Sequence, residues 1–251
     1  MIEMICLGTG YAAAAANRDN TYLLLREQVN RDAGTVLIDV GGSPLTKLKK
    51  EQVDLKAIRA VIFTHFHIDH IYGMPSLLWG MWLAGREEEL TICCGSGDEK
   101  KLRHWLELLE MDSWPAKFQI KIHVYKAEEK AELLTLGEAK VSTFPAKHAV
   151  PTVGIEVREG NRTLVYSSDT EPNEWIRQYD YIDELYHECT LARGALVHHT
   201  SLQQFSQFYN LHVFGKIVFV HLSDQEDYVS AMNEFMSEEE KARIHFAEEK
   251  A

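Results

Sequence analysis

The sequence predicts a single α+β or α/β domain of layered sheets over residues 1–251, and three observations indicate this fold class. Short β-rich segments alternate with helical patterns in both halves of the chain. A length of 251 residues allows one large domain with a sizeable core. Hydrophobic residues make up 45% of the chain and charged residues 25%, a balance typical of globular proteins and not of disordered or fibrous ones.

Glycine and proline separate the elements of the N-terminal half. The β-rich segments predict strands over residues 4–7, 21–25, 35–40 and 60–64. Ser43 followed by Pro44 predicts the start of a helix, because serine caps helices and proline suits the first helical position. Helices are predicted over residues 44–51, 75–84 and 98–110.

The C-terminal half continues the alternation. Gly160 and Asn161 separate two β-rich segments and predict a hairpin. Strands are predicted over residues 118–125, 139–144, 153–159, 163–167 and 216–220. Helical patterns cover residues 173–179, 202–209 and 224–236. The pattern alone leaves the order of the strands open.

Charge and composition argue against several classes of protein. The formal net charge is −12, which argues against a protein that holds nucleic acid over a broad basic surface. No apolar run reaches the ~20 residues of a membrane span, and the first residues lack a basic signal segment, so we expect no membrane partner. Four cysteines without a C-x-x-C pair predict reduced, buried thiols and a cytoplasmic location.

The densest group of reactive side chains directly follows the predicted strand 60–64. It contains three imidazoles and a carboxylate: His65, His67, Asp69 and His70. Such nitrogen and oxygen donors suit Zn²⁺, with Mn²⁺ or Fe as alternatives. A solvated loop that is rich in histidine by chance is the competing interpretation, and the density of these residues at a strand end argues against it.

Three isolated residues also follow predicted strands: His148, Asp169 and His221. A lone residue of this kind usually forms hydrogen bonds within its loop. Sheets that build clefts present functional groups at the carboxyl ends of their strands. Together with the cluster at residues 65–70, the three residues therefore predict one shared metal centre.

These residues resemble those of the metallo-β-lactamase superfamily of hydrolases, and the resemblance runs through nearly the whole chain. Residues 65–70 match its H-x-H-x-D-H motif, and the later His, Asp and His follow in its order. The resemblance implies an αββα sandwich, in which two mixed β-sheets are flanked by helices. It implies that Asp39 supports the metal loop without binding metal. It also implies two divalent ions, one held by His65, His67 and His148, the other by Asp69, His70 and His221, with Asp169 bridging.

Within the superfamily the chain resembles the ribonuclease Z branch. Residues 7–10 (Leu-Gly-Thr-Gly) resemble its opening turn, and residues 187–190 (His-Glu-Cys-Thr) resemble its His-Glu-Ala-Thr segment. The resemblance implies that His199, backed by Glu188, donates a proton to the leaving group. The alternative is that both residues only support the fold around the metals.

Two departures from ribonuclease Z argue against pre-tRNA as a substrate. Only 20 residues separate His148 from Asp169, too few for the long basic arm that clamps tRNA in that branch. The basic segment expected after the first strand is replaced by residues 14–20, Ala-Ala-Ala-Asn-Arg-Asp-Asn. The sequence therefore predicts a short form that acts on a small phosphodiester or another small anion.

The predicted function is that of a dinuclear metal-dependent hydrolase, in which a metal-bridged hydroxide attacks a phosphodiester. Asp69 is expected to orient that hydroxide as well as to bind metal. One alternative is a hydrolase of a lactone, thioester or β-lactam, and another is a non-catalytic metal-binding protein of the same fold. Trp79 and Trp82, on an apolar helical face, favour core packing or a homodimer contact over a cofactor site.

Overall fold

Two β-sheets lie face to face in the computed structural model, which describes residues 1–13, 16–29 and 34–249. Residues 14 and 15 of the predicted segment 14–20, and the last two residues of the predicted domain, lie outside these ranges. Within them the first sheet has six strands, in the order β1-β2-β3-β4-β5-β6. These are β1 (Ile2–Gly8), β2 (Tyr22–Glu27), β3 (Thr35–Ile38), β4 (Ile58–Ile62), β5 (Leu90–Gly95) and β6 (Ile120–Tyr125). Strands β1 to β3 pair antiparallel and β3 to β6 pair parallel.

The second sheet has seven strands in the described residues, in the order β13-β12-β11-β10-β9-β8-β7. These are β7 (Ala131–Leu136), β8 (Ala139–Ala146), β9 (Thr152–Glu159), β10 (Arg162–Tyr166), β11 (Ile182–Glu188), β12 (Phe214–Val220) and β13 (Ile244–Phe246). Strands β7 to β10 pair antiparallel and β10 to β13 pair parallel. The predicted hairpin joins β9 to β10, and Gly160 turns it with a φ of 59°.

Helices pack on the outer faces of both sheets and connect their strands, and the described residues form eight α-helices. They are α1 (Pro44–Lys50), α2 (Ile68–Ile71), α3 (Met74–Leu83), α4 (Glu99–Leu108), α5 (Glu174–Arg177), α6 (Leu202–Phe208), α7 (Tyr228–Phe235) and α8 (Glu238–Lys241). Leu48, Leu78 and Leu102 belong to one apolar cluster with the first sheet, and Ile176 and Phe205 belong to another with the second. A third cluster fills the space between the sheets. The layers are therefore helix, sheet, sheet and helix, which confirms the αββα sandwich.

The sequence pattern does not predict β5, β7, β11 and β13. Strand β11 contains His187 and Glu188, both fully buried, so its polar residues break the apolar pattern on which the prediction depends. Strand β7 lies at a sheet edge and exposes Glu132, and β13 has only three residues. Strands β7, β11 and β13 therefore depend on their neighbours in the sheet more than on their own composition.

Two helix starts differ from the prediction, one in position and one in its capping contact. The helix predicted over residues 224–236 begins at α7, because the side chain of Asp227 accepts the backbone N–H of Ser230 and caps it. Ser43 occupies the N-cap position of α1 without a capping bond from its hydroxyl. Its backbone N–H donates instead to Asp19, at 2.6 Å.

Helix α3 is neither fully buried nor a membrane span. Leu78 and Met81 are buried in the core, whereas Trp79 is 43% exposed and packs edge-on against Trp82 and Trp114. Core packing therefore accounts for Leu78 and Met81, and the homodimer contact stays a prediction. Across the described ranges, no helix combines the length and the apolar character that crossing a bilayer would need.

Candidate metal centre

The seven predicted ligands all lie after the carboxyl ends of strands. His65 follows β4 by three residues and His148 follows β8 by two. Asp169 follows β10 by three residues, and His221 comes directly after β12. The side chains from these four strand ends meet at one place, as the sequence predicts.

Left-handed backbone conformations are concentrated around this place. Asp39, Ser168, His198 and His221 have φ values of 60°, 54°, 71° and 57°. Residues other than glycine rarely adopt such values, and they do so where the surrounding structure holds them. Each of these residues is a predicted site residue or the neighbour of one, so the strand ends turn sharply where the site lies.

The H-x-H-x-D-H segment bends from an extended chain into a helix. His67 has extended backbone angles and occupies the N-cap position of α2, whose first turn contains Asp69. His70 lies in the same short helix and is fully buried. The bend separates His65 and His67 from Asp69 and His70. One short segment therefore contributes residues to two groups of possible metal ligands.

The first group joins three imidazoles and one carboxylate. Nδ1 of His67 lies 3.1 Å from Nε2 of His65 and 3.0 Å from Nε2 of His148. Oδ2 of Asp169 lies 3.9 Å from Nε2 of His65 and 3.9 Å from Nε2 of His148. These four atoms face one point that a single ion could occupy.

The second group joins two imidazoles and two carboxylates. Oδ2 of Asp69 lies 3.5 Å from Nε2 of His70 and 3.7 Å from Nε2 of His221. Oδ2 of Asp169 lies 3.4 Å from each of the same two nitrogens. Asp169 thus belongs to both groups, which is the position that the resemblance implies for it.

The donor atoms fit divalent ions. Zinc bonds of about 2.0–2.2 Å in a tetrahedron place ligand atoms roughly 3.3–3.6 Å apart, close to the separations in both groups. Nε2 of His70, Nε2 of His221 and Oδ1 of Asp169 are buried and have no hydrogen-bond partner among the described residues. Buried polar atoms are rarely left unpaired, and coordination to a cation would satisfy them. The donor set suits Zn²⁺ and also Mn²⁺ or Fe.

The electrostatics of the centre also favour cations. Burial and the neighbouring His70 lower the pKa of His65 well below its ordinary value, so this imidazole keeps its lone pair. Burial opposes ionisation of Asp169, yet His221 and His70 outweigh it and hold the pKa of that carboxyl well below its usual range. For His70 burial is outweighed by Asp169 and Asp39, which raise its pKa well above the ordinary value. A metal at this place would compete with a proton on His70.

Supporting groups fix the orientation of the rings. Asp39 is fully buried and accepts hydrogen bonds from the backbone N–H of Thr64 and from Nδ1 of His70, each at 2.8 Å. His148 donates from Nδ1 to the carbonyl oxygen of His198, at 2.7 Å. Both bonds leave Nε2 free to face the centre. The contacts of Asp39 match the supporting role that the resemblance implies.

His199 and Glu188 form a pair beside the centre. Nδ1 of His199 lies 2.9 Å from Oε1 of Glu188, which is fully buried and also accepts the backbone N–H of Thr170. Burial alone would lower the pKa of His199, but Glu188 and Asp169 outweigh it and raise this pKa to about 9. The ring of His199 stacks on that of His221 with centroids 5.3 Å apart.

Sequence reasoning misses two threonines of this site, Thr64 and Thr190. The hydroxyl of Thr64 contacts His65, and the hydroxyl of Thr190 contacts Glu188 and His221. The signal was their position, because each stands within two residues of a predicted site residue.

Curated proteins named Ribonuclease Z are similar to this chain. The chain is 28% identical over 186 residues to Ribonuclease Z of Pyrococcus horikoshii, a match that covers 72% of this chain and 57% of that protein. It is 30% identical over 167 residues to Ribonuclease Z of Agathobacter rectalis, covering 66% and 52%. The chain therefore spans just over half the length of these relatives.

Solved structures and a family-wide match extend the likeness to the whole fold. The metallo-β-lactamase fold protein YhfI from Bacillus subtilis superposes with a TM-score of 0.79 at 18% identity, covering 100% of this chain and 98% of that one. The short form of human tRNase Z superposes with a TM-score of 0.76 at 22% identity, covering 99% and 97%. The sequence model of the family described as Anti-Pycsar protein Apyc1 matches residues 2–246. The chain is thus a ribonuclease Z-like member of the metallo-β-lactamase fold and belongs to the Anti-Pycsar protein Apyc1 family.

Proposed function

We propose that this chain is a dinuclear metal-dependent phosphodiesterase that hydrolyses a small phosphodiester. The observation that carries the proposal is the convergence of two donor groups on Asp169, with the pair His199 and Glu188 beside them. The name of the relatives, Ribonuclease Z, supports a hydrolase of phosphodiesters.

The two donor groups would hold one divalent ion each. The first ion would be held by His65, His67 and His148, the second by Asp69, His70 and His221, and both by Asp169. When bound, two such ions supply a water nucleophile that is activated near neutral pH and positive charge for the phosphate oxygens. Zinc fits the donors, and Mn²⁺ or Fe would use the same set.

Two side chains would handle the proton transfers. Oδ2 of Asp69 faces the ligand nitrogens of His70 and His221, which leaves its Oδ1 to accept a hydrogen bond from the attacking water. His199 donates from Nδ1 to Glu188, so a second proton on its Nε2 can pass to the leaving oxygen. A general acid in this position contributes about 10²–10⁴-fold to the rate.

The surroundings of the centre favour a small substrate. Residues 149–168, between His148 and Asp169, form the hairpin of β9 and β10 and include no long basic arm. The net charge of −12 would repel a large polyanion away from the cleft, whereas two divalent ions would concentrate positive charge within it. Pre-tRNA is therefore the weakest candidate substrate.

Metal analysis followed by a hydrolysis panel tests the proposal. The panel contains an activated phosphodiester, a cyclic nucleotide, a lactone and a pre-tRNA. We expect two ions per chain and metal-dependent cleavage of the phosphodiesters, both lost in Asp169→Asn and kept in His104→Asn, which changes an exposed histidine of α4. Activity on the lactone alone would favour the carbonyl alternative. Bound metal without any turnover would favour a non-catalytic metal-binding protein.

A further inference from the structure

The hydroxyl of Thr190 lies between a carboxylate and a predicted metal ligand. Thr190 is buried in the loop after β11, and its Oγ1 lies 2.9 Å from Oε2 of Glu188 and 2.8 Å from Nδ1 of His221. A hydroxyl has one proton to donate, and an ionised carboxylate can only accept. The proton of Thr190 therefore goes to Glu188, and its oxygen accepts a hydrogen bond from Nδ1–H of His221.

This assignment determines which nitrogen of His221 carries the proton. With the proton on Nδ1, the lone pair of the neutral ring lies on Nε2, the atom that faces Asp69 and Asp169. Nε2 is buried and has no hydrogen-bond partner in the described part of the chain. Thr190 thus holds His221 in the one neutral form that can bind a metal with this nitrogen.

The same arrangement occurs a second time in the site, built from other strands. Oγ1 of Thr64 lies 2.8 Å from Oδ2 of Asp39 and 3.1 Å from Nδ1 of His65. By the same count of protons, Thr64 donates to Asp39 and accepts from His65. Each threonine thus links a buried carboxylate to the imidazole of a predicted ligand through its hydroxyl. Because the arrangement occurs twice, the contact between Thr190 and His221 is a repeated feature of the site.

The two arrangements differ in the second imidazole that the carboxylate holds. Asp39 directly holds His70, another predicted ligand, whereas Glu188 directly holds His199, the candidate proton donor. Oγ1 of Thr190 also lies 3.4 Å from Nδ1 of His199. The Thr190 and Glu188 pair therefore touches both the metal centre and the group proposed to protonate the leaving oxygen.

We propose that Thr190 is a positioning residue that sets the metal-binding tautomer of His221 and, through Glu188, connects it to His199. The connection to His199 rests on the function proposed above, whereas the tautomer of His221 does not. Thr190→Val keeps the shape of the side chain and removes the acceptor, so Nδ1 of His221 loses its partner. Thr190→Ser keeps the hydroxyl and is the matched control.

Nitrogen NMR of the metal-free protein tests the tautomer directly. Histidine labelled with ¹⁵N, with His221 assigned by comparison with His221→Gln, reports which ring nitrogen is protonated at mildly alkaline pH. We expect Nδ1–H in the wild type and in Thr190→Ser, and a mixture of tautomers in Thr190→Val. A wild-type protein with the proton on Nε2 of His221 would overturn the proposal, even if the valine variant failed to fold.

Metal affinity supplies the second readout. Competition with a chromophoric zinc chelator should show one of the two sites weakened by about 10–100-fold in Thr190→Val and unchanged in Thr190→Ser. Thr143→Val, in a fully buried threonine of β8 outside the site, controls for the loss of a buried hydroxyl and should leave both affinities unchanged. Unchanged affinities in Thr190→Val would refute the role of Thr190. Because neither readout uses a substrate, both decide the role of Thr190 at His221 even if no phosphodiester is cleaved.

Discussion

Replacing Asp39 with asparagine is expected to weaken metal binding at the predicted centre, most of all through His70, and to leave the fold intact. Asp39 is fully buried, and its Oδ2 faces the hydroxyl of Thr64 and Nδ1 of His70, each at 2.8 Å. Its φ of 60° is a left-handed conformation in which aspartate and asparagine are both enriched. The substitution therefore changes the charge and one hydrogen-bonding group while it keeps the volume and the backbone.

The size of the effect follows from the hydrogen bonds. The oxygen of the new amide remains opposite the backbone N–H of Thr64, where Oδ1 of Asp39 lies at 2.8 Å, so its NH₂ group faces Nδ1 of His70. Nδ1 must then accept, and the proton of the ring moves to Nε2, the predicted ligand atom. Loss of a supporting partner of this kind costs about 10–100-fold in metal affinity, which corresponds to roughly 1.4–2.8 kcal/mol.

Chelator competition and metal content measure this effect. We expect Asp39→Asn to bind the ion at Asp69, His70 and His221 about 10–100-fold more weakly. The ion at His65 should weaken as well, because the new NH₂ group also faces the hydroxyl of Thr64, which contacts His65. The unfolding curve should stay cooperative, like that of the wild type. Asp180→Asn, on the exposed surface, removes a carboxylate of the same size and should change neither affinity. Two unchanged affinities in Asp39→Asn would refute the reasoning, because His70 would then keep its ligand form without the carboxylate.

Three further predictions concern stability, thiol reactivity and backbone packing. Burial opposes ionisation of Glu156, but its lysine, arginine and tyrosine partners outweigh burial and lower its pKa. A carboxyl group whose pKa is lowered by folding stabilises the fold at a pH above its pKa in the unfolded chain. This stabilisation is lost as the pH falls through its pKa in the folded protein. Urea unfolding should therefore show Glu156→Gln less stable than the wild type at neutral pH, and the difference should shrink in acid. Burial raises the pKa of Cys93 to about 12, so iodoacetamide should label this thiol only after unfolding, as peptide masses would show. A Cβ at Gly41 would overlap the backbone oxygen of Asp69, whereas one at Gly97 would meet no atom within 4 Å. Gly41→Ala should therefore lower the metal content and Gly97→Ala should not.

The sequence predicts those strands in which the apolar pattern of the strand itself indicates that it is buried. Residues 22–25 of β2 form a continuous apolar run, Tyr-Leu-Leu-Leu, and are fully buried, which is typical of a strand covered on both faces. Strand β11 combines apolar residues with the carboxylates Glu184 and Glu188, with no regular alternation. These carboxylates pair with residues outside the strand, Arg162 for the first and His199 for the second. A pattern within one segment contains no information about such partners, so β11 becomes recognisable only in the folded sheet.

The same limit separates the parts of the metal centre that the sequence predicts from those that it does not. Residues 65–70 are dense enough to be recognised alone, and His221 gains its meaning from its place directly after a predicted strand. The proton on the ring of His221 is different, because its position depends on Thr190, which the chain delivers from the loop after the unpredicted strand β11. The residues predicted as ligands can therefore be proposed from their types and their positions after strands in the sequence. The tautomer in which a histidine ligand can bind metal depends on contacts that form only when the sheets assemble. A search for variants that lose metal should therefore include the hydroxyls and carboxylates that hydrogen-bond to the ligand rings.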